Sequence, residues 1–174
     1  MRRYGIINKI ESIIHCSWGL VMVNFGISVS EYKKRIELVR GEMAEQNMDA
    51  FVVLDQKRIY YLTGFPYIEA CRPFLLLIPL DGEITFIIPK MEEDHIKLFR
   101  RHWIRDIVTY WEYPWGTIRA SEVIAMVFRD KGLWNKRIGV DKKSLPSIAG
   151  IPDILLDDLL PDAKIIVAKN IIDD

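Results

Sequence analysis

The sequence is poor in the residues that build disulfides and metal sites. Its 174 residues include two cysteines and three histidines. Cys16 and Cys71 show neither CxxC nor Cys/His spacing, so we expect two free thiols in a reducing cytoplasm. His95 and His102 lie about two helical turns apart, which is too wide a gap for one ion, and His15 stands far from both. We therefore assign no metal-binding residue.

An excess of charge of one sign is also missing. The chain carries 24 Lys and Arg against 24 Asp and Glu, so neither nucleic acid nor an anionic membrane is an expected partner. The most membrane-like stretch, from Ile13 to Ile27, is interrupted by polar residues and is too short to span a bilayer. Arg2 and Arg3 resemble the start of a signal peptide, but no small-residue cleavage pattern follows. We predict a cytoplasmic protein.

The common catalytic motifs do not occur. The sequence contains no GxGxxG, GxxxxGK[ST] or GxSxG, and neither cysteine has a histidine nearby in sequence. The acidic residues Asp157, Asp158 and Asp162 fall on the outer face of a predicted helix, where solvated side chains are expected. Nucleotide binding and nucleophilic catalysis accordingly have no support in the sequence.

Strands that alternate with helices are the main positive feature. Ser28 and Glu31 have capping-box spacing, and Ile36, Val39 and Met43 form the apolar stripe of the helix that follows. Asn47 suits the left-handed position at the helix end. Apolar runs then predict strands at 49–54, 74–80, 83–89, 106–111, 137–141 and 164–168. This order predicts an α/β domain with a layered, mixed sheet of about six strands and flanking helices.

Several details follow from local signals. Asp81-Gly82 predicts a type I′ hairpin between two of the strands, and Pro79 should either end the first of them or lie at an outward-facing edge position. A helix after Pro89 should place Ile96, Phe99 and Trp103 on one face. Two further helices are expected. The first, SEVIAMVFRDKG, should stop at Gly132, and the second, PDILLDDLLPD, should open at Pro152 and bury Leu155, Leu156, Leu159 and Leu160.

The boundaries and one loop complete the pattern. We assign residues 1–25 to an N-terminal extension and residues 26–170 to the domain. The extension is either an accessory helix or sequence upstream of the true start, with Met22 as an alternative initiator.

The aromatic residues Tyr110, Trp111, Tyr113 and Trp115 accompany Pro114 and Gly116 at a strand end. Such a group fills a pocket or an interface, or else folds onto its own core.

These residues carry a family resemblance. In order, the chain contains RIELVRGEMAEQNMDAFVVL, IYYLTGF, RPFLLLIPLDGEITFIIPKMEEDH and YWEYPWG. This series resembles the N-terminal domain shared by Xaa-Pro dipeptidases (prolidases), Xaa-Pro aminopeptidases and creatinase, over roughly residues 28–168. The resemblance implies a ribonuclease-H-like fold, in agreement with the layering expected from the strands and helices.

The resemblance also implies a function. In that family a following pita-bread domain binds two divalent metal ions through two aspartates, a histidine and two glutamates, and these ligands would lie beyond Asp174. The chain would thus be the non-catalytic N-terminal domain of a proline-specific metallopeptidase, inactive alone, which contributes to a homodimer and to the site for proline-containing peptides. The alternative is a stand-alone binding or dimerisation module with the same fold.

Arg72 is the one candidate substrate-binding residue. It lies between a loop and the apolar strand FLLLIPL. A planar guanidinium at the mouth of a strand suits bidentate recognition of a carboxylate, and the resemblance to creatinase-like chains implies that it reaches across the dimer. The alternative is structural, with the arginine stem stacked on Tyr67 or Phe65 and its charge in water.

Overall fold

The computed structural model describes residues 26–67, 72–98, 103–111, 119–145, 154–168 and 171–172. The strands are β1 (Ala50–Val53), β2 (Leu75–Pro79), β3 (Thr85–Pro89), β4 (Asp106–Tyr110), β5 (Arg137–Val140), β6 (Ser144–Leu145), β7 (Ile154–Leu155) and β8 (Lys164–Val167). The helices are α1 (Val29–Glu45), α2 (Gln56–Thr63), α3 (Glu93–Leu98), α4 (Ala120–Asp130) and α5 (Leu156–Leu159). A 3₁₀ turn, Lys90–Glu92, precedes α3.

Six strands form one mixed sheet in the order β4-β3-β2-β1-β5-β8, and β6 pairs with β7 separately. β1 is parallel to β5, β5 to β8 and β3 to β4, whereas β2 is antiparallel to both of its neighbours. The predicted mixed, layered α/β sheet is confirmed. β2 is thus the one strand of this sheet that runs against the other five.

Helices cover both faces of the sheet, because alternate strand residues are buried on opposite sides. Phe51 and Phe86 share one core with side chains of α1, α2 and α3. Val52 and Ile87 share the other core with side chains of α4 and α5. The described residues therefore form a three-layer arrangement with two hydrophobic cores.

The start of α1 confirms the Ser28 half of the predicted capping box, whereas the carboxylate of Glu31 accepts a 3.4 Å hydrogen bond from Arg35. Ser28 lies at the N-cap with extended backbone, and its hydroxyl accepts a 3.3 Å hydrogen bond from the amide of Glu31. The predicted stripe is buried, with Tyr32 added to it. Asn47 takes a left-handed conformation with φ of 54° just after the helix. Pro79 ends β2 and Gly132, with φ of 67°, follows α4, as expected.

The hairpin turn was predicted wrongly. β2 and β3 pair antiparallel, but among the described residues between them only Gly82 has positive φ, so Asp81-Gly82 does not form a type I′ turn. The last β2–β3 pair is Leu77 with Thr85, and the end of β2 pairs with β1 instead, up to Ala50 with Pro79. The two strands part early, which leaves a wider connection.

Two helix predictions also need correction. α3 is described over Glu93–Leu98, and Trp103 lies in the irregular segment before β4 rather than in a helix, so it does not share a helical face with Ile96. The helix predicted to open at Pro152 is also wrong in its extent. Ile154–Leu155 forms β7, and only Leu156–Leu159 forms a helix, of a single turn. Phe99 and Pro152 lie outside the described residues. In both segments tertiary packing outweighs the local helical pattern.

Candidate functional site

The carboxyl ends of five strands meet at one edge of the sheet. β1, β5, β8, β3 and β4 all end there, and β2 begins there because it runs the opposite way; Val53 at the end of β1 pairs with Leu76 near the start of β2. Arg72 precedes β2 and so lies on this side, which we call the carboxyl edge. In open α/β sheets this edge is the usual position of a binding site.

The segment that carries Arg72 is fixed by its neighbours. Tyr110, the last residue of β4, donates a 2.8 Å hydrogen bond from its hydroxyl to the carbonyl of Pro73. The rings of Tyr67 and Phe74 stack with centroids 3.8 Å apart. The side-chain amide of Gln56 donates to the carbonyl of Tyr67. The chain is therefore held in place just before residues 68–71 and just after Arg72.

Gly64 sets the direction of this segment. It follows α2 with φ of 74°, and its amide donates to the carbonyl of Tyr60. A β-carbon built on Gly64 would lie 2.4 Å from the hydroxyl oxygen of Tyr32. Both the left-handed conformation and the lack of space require glycine, so the YLTGF turn has a structural reason for its sequence.

Arg72 itself is half-buried. Among the residues the structure describes, its guanidinium makes no hydrogen bond or ion pair. The structural alternative, with the arginine stem stacked on Tyr67 or Phe65, stays a prediction as well. The substrate-binding role of Arg72 stays a prediction.

A buried carboxylate at the same edge was missed by the sequence analysis. Asp141 follows β5, has a fully buried side chain, and accepts hydrogen bonds from the amides of Leu54 (2.8 Å) and Asp55 (2.9 Å). Arg58 approaches it at 3.8 Å. Burial raises the pKa of Asp141, although these hydrogen bonds and the guanidinium oppose that effect. An aspartate directly after a buried strand was the available signal.

Asp55 lies beside it and caps α2. Its carboxylate accepts from the amides of Lys57 (3.0 Å) and Arg58 (3.2 Å) and pairs with Lys142 at 2.9 Å. Partial burial alone would raise the pKa of Asp55, but the hydrogen bonds from Lys142 and the two amides outweigh it and lower the pKa. Both carboxylates thus make structural hydrogen bonds and ion pairs, whereas the guanidinium of Arg72 makes none with the described residues.

The aromatic group begins at the same edge. Tyr110 is buried, whereas the next residue, Trp111, is 48% exposed. The rest of the group, Tyr113, Pro114, Trp115 and Gly116, lies outside the described residues. The prediction that this loop fills a pocket or an interface therefore stays a prediction. The described part nevertheless places a large exposed ring within one residue of the tyrosine that fixes the Arg72 segment.

The described residues do not fit a dinuclear metal centre. Within the described ranges no group of three His, Cys, Asp or Glu side chains could hold an ion. His95 pairs with Glu92 at 2.8 Å and packs on Phe65, while His15, His102 and both cysteines lie outside these ranges. Asp157 contacts Lys143 at 3.4 Å on the surface. None of the described helices is long and apolar enough to cross a bilayer.

Comparison with known proteins adds the family context. The sequence matches the family described as the creatinase/prolidase N-terminal domain over residues 35–174. None of the curated protein sequences matches the chain.

Several solved structures share the fold. A proline dipeptidase from Streptococcus pneumoniae TIGR4 is 18% identical with a TM-score of 0.58, and the match covers 81% of this chain and 91% of that one. A prolidase from Thermococcus sibiricus is 19% identical with a TM-score of 0.58, covering 78% of this chain but 34% of that one. The N-terminal domain of the cytoplasmic peptidase PepQ from Mycobacterium tuberculosis H37Rv is 13% identical with a TM-score of 0.54, covering 80% and 95%.

Proposed function

The chain belongs to the creatinase/prolidase N-terminal domain family, and from that premise we propose that it is the non-catalytic N-terminal domain of a cytoplasmic Xaa-Pro dipeptidase or aminopeptidase. In this role it contributes contacts to a homodimer and one side of the site that receives a proline-containing peptide. Two divalent metal ions would be bound by a separate catalytic domain, and the described residues take no part in holding them.

Arg72 is the observation that supports this role. Its segment is fixed by the Tyr110–Pro73 hydrogen bond and the Tyr67–Phe74 stack, while its guanidinium has no partner among the described residues. A guanidinium without a partner among the described residues can receive a negatively charged ligand. The carboxylate of a short peptide fits this requirement because it accepts two parallel hydrogen bonds from arginine.

Substitution of Arg72 tests the proposal in the full enzyme that carries this domain. We expect Arg72→Lys to raise KM for free dipeptides, because lysine keeps the charge and loses the planar pair of donors. Arg72→Ala should raise KM further. The loss of a charge-assisted hydrogen bond corresponds to roughly a tenfold increase or more. Arg105→Lys, which alters an exposed arginine before β4, is the control and should leave KM unchanged.

A structural role for Arg72 predicts a different result. If both Arg72 variants lower the melting temperature and leave KM for dipeptides unchanged, the arginine supports the fold and the substrate role is wrong. A peptide with an amidated C-terminus separates the two roles further. Wild-type enzyme should bind it more weakly than the free acid, and the Arg72→Ala enzyme should show little preference between the two.

The catalytic part of the proposal has its own test. The isolated chain should neither bind a catalytic metal nor hydrolyse a Gly-Pro-type substrate after addition of manganese, cobalt or zinc. Metal content and product formation are measured on each purification fraction. Chelator-sensitive turnover that follows the protein through purification would show that the active site lies within this chain.

A stand-alone binding or dimerisation module is the second candidate. The coding sequence downstream of Asp174 distinguishes the two. A pattern of two aspartates, a histidine and two glutamates there supports the peptidase; its absence supports the module.

A further inference from the structure

The backbone that joins Arg72 to β2 has little freedom. Pro73 follows Arg72, and its ring fixes its own φ at about −65°. A residue that precedes proline is itself confined to extended conformations, so Arg72 is restricted as well. Phe74 is buried and stacks on Tyr67, which holds the strand side of the connection. The ψ torsion of Pro73, which turns its carbonyl group, is the main freedom that these constraints leave.

Tyr110 controls this remaining torsion. Its hydroxyl donates a 2.8 Å hydrogen bond to the carbonyl of Pro73. Tyr110 is 3% exposed and belongs to the same hydrophobic core as Leu75 and Ile87. In the sheet it pairs with Pro89 at the end of β3. The donor therefore lies on a packed part of the sheet, and its hydroxyl contacts the connection that carries the arginine.

We propose that Tyr110 is a positioning residue that directs the guanidinium of Arg72 toward the substrate carboxylate. This inference rests on the proposed function of Arg72 and adds the residue that sets the direction of the arginine. Tyr110 acts through the carbonyl of Pro73 and does not itself contact the substrate.

The expected effect follows from the geometry of the carboxylate contact. Without the hydroxyl, the carbonyl of Pro73 loses this donor, and its ψ torsion is free to take a second value. Arg72 then loses its fixed approach. Two parallel hydrogen bonds to a carboxylate depend on direction more than a simple charge contact does, so a small displacement of the guanidinium weakens them.

Tyr110→Phe, in the full enzyme that carries this domain, removes the hydroxyl and keeps the ring. We expect KM for a free dipeptide to rise roughly threefold to tenfold, the size of one lost hydrogen bond, with kcat little changed. KM for the same dipeptide with an amidated C-terminus should stay the same, because it offers no carboxylate. Tyr60→Phe is the matched control. It removes the hydroxyl of a tyrosine on α2 that is 54% exposed, and it should change neither KM.

The Arg72→Ala background separates failure of this inference from failure of the proposed function. In that background Tyr110→Phe should have no further effect on KM, because its effect passes through the arginine. An equal effect in both backgrounds would overturn the positioning role. An unchanged KM for Tyr110→Phe beside a raised KM for Arg72→Ala would also overturn it and would leave the substrate role of Arg72 intact. If Arg72→Ala itself leaves KM unchanged, both are wrong.

Hydrogen exchange of the full chain tests the contact without any measurement of activity. Tyr110→Phe should speed amide exchange in residues 72–75 and leave β5 unchanged, whereas Tyr60→Phe should change neither. Unchanged exchange in residues 72–75 would show that the hydroxyl does not hold this segment. A purely structural role predicts a lower melting temperature with the same preference for the free acid over the amide, and that result would refute the proposal as well.

Discussion

Asp141, just after β5, accepts a 2.8 Å hydrogen bond from the backbone amide of Leu54, just after β1, across 87 positions of sequence. Its second oxygen accepts from the amide of Asp55. The two oxygens therefore tie the ends of two central parallel strands together. Asp55 begins α2, and α2 leads to the turn before Arg72, so this contact supports the geometry of the carboxyl edge.

Removal of the Asp141 charge should destabilise the domain. Asp141→Asn keeps the shape but replaces one acceptor oxygen with a donor, which leaves a buried amide without a partner. We expect the free energy of unfolding at pH 7 to fall by about 2 kcal/mol. Urea unfolding followed by circular dichroism measures the change. Asp158→Asn, at an exposed position, should change it by less than about 0.5 kcal/mol; equal effects would show that Asp141 does not hold the strands.

Gly139 and Gly41 should respond in opposite directions to alanine. A β-carbon at Gly139 in β5 would lie 2.3 Å from Sδ of Met48 and 2.8 Å from Cδ2 of Phe51. Gly139→Ala should therefore cost about 1–3 kcal/mol through overpacking. A β-carbon at Gly41 in α1 meets nothing within 4 Å, so Gly41→Ala should stabilise by about 0.5–1 kcal/mol. Denaturant midpoints check both signs, and destabilisation by Gly41→Ala would contradict the packing of α1.

The stability contributed by Asp106 should depend on pH. Partial burial alone would raise its pKa, but hydrogen bonds from Lys131 (2.8 Å) and Thr85 (2.6 Å) lower it below 3.8. A lowered folded-state pKa means that this contribution is present above pH 3.8 and is lost as the pH falls through the folded value. Because the pair is partly exposed, we expect less than about 1 kcal/mol.

Comparison with Lys131→Met measures this pH dependence. The difference in unfolding free energy between wild type and variant should be largest near pH 6 and should shrink below pH 3.8. High salt should reduce it as well. A difference that stays constant from pH 6 to pH 2 would show that the lysine acts through its aliphatic stem rather than its charge.

Self-association should involve the exposed ring at the carboxyl edge. Trp111 is 48% exposed, and exposed aromatic residues favour interfaces. We expect the chain to form dimers at high micromolar concentration and Trp111→Ser to weaken them. Met126→Ser on α4, where the side chain is 46% exposed, is the control and should have no effect. Light scattering that reports a monomer throughout the concentration range would refute the expectation.

Local patterns were sufficient for most elements but not for their long-range contacts. The cap at Ser28, the stripe that ends at Met43 and the buried strands depend on neighbouring residues, and each was predicted correctly. The carboxyl-edge contact of Asp141 joins residues far apart in sequence, so no local pattern shows it. Trp103 matches a helical period by chance, whereas its hydrogen bond to Thr63 fixes it in an irregular segment. The role of Arg72 depends on a partner that the sequence does not contain.

The strand order has a consequence for how the domain assembles. β1, β2, β3 and β4 are neighbours both in sequence and in the sheet, so each can pair with the previous one soon after its synthesis, through a connection far shorter than the one between β1 and β5. β5 must instead return to β1, where Ala50 pairs with Ile138, and closing so long a loop costs entropy before any contact compensates it. Capture of β5 is therefore the expected slow step of folding. Until it occurs, the open edge of β1 is exposed to pairing with other nascent chains.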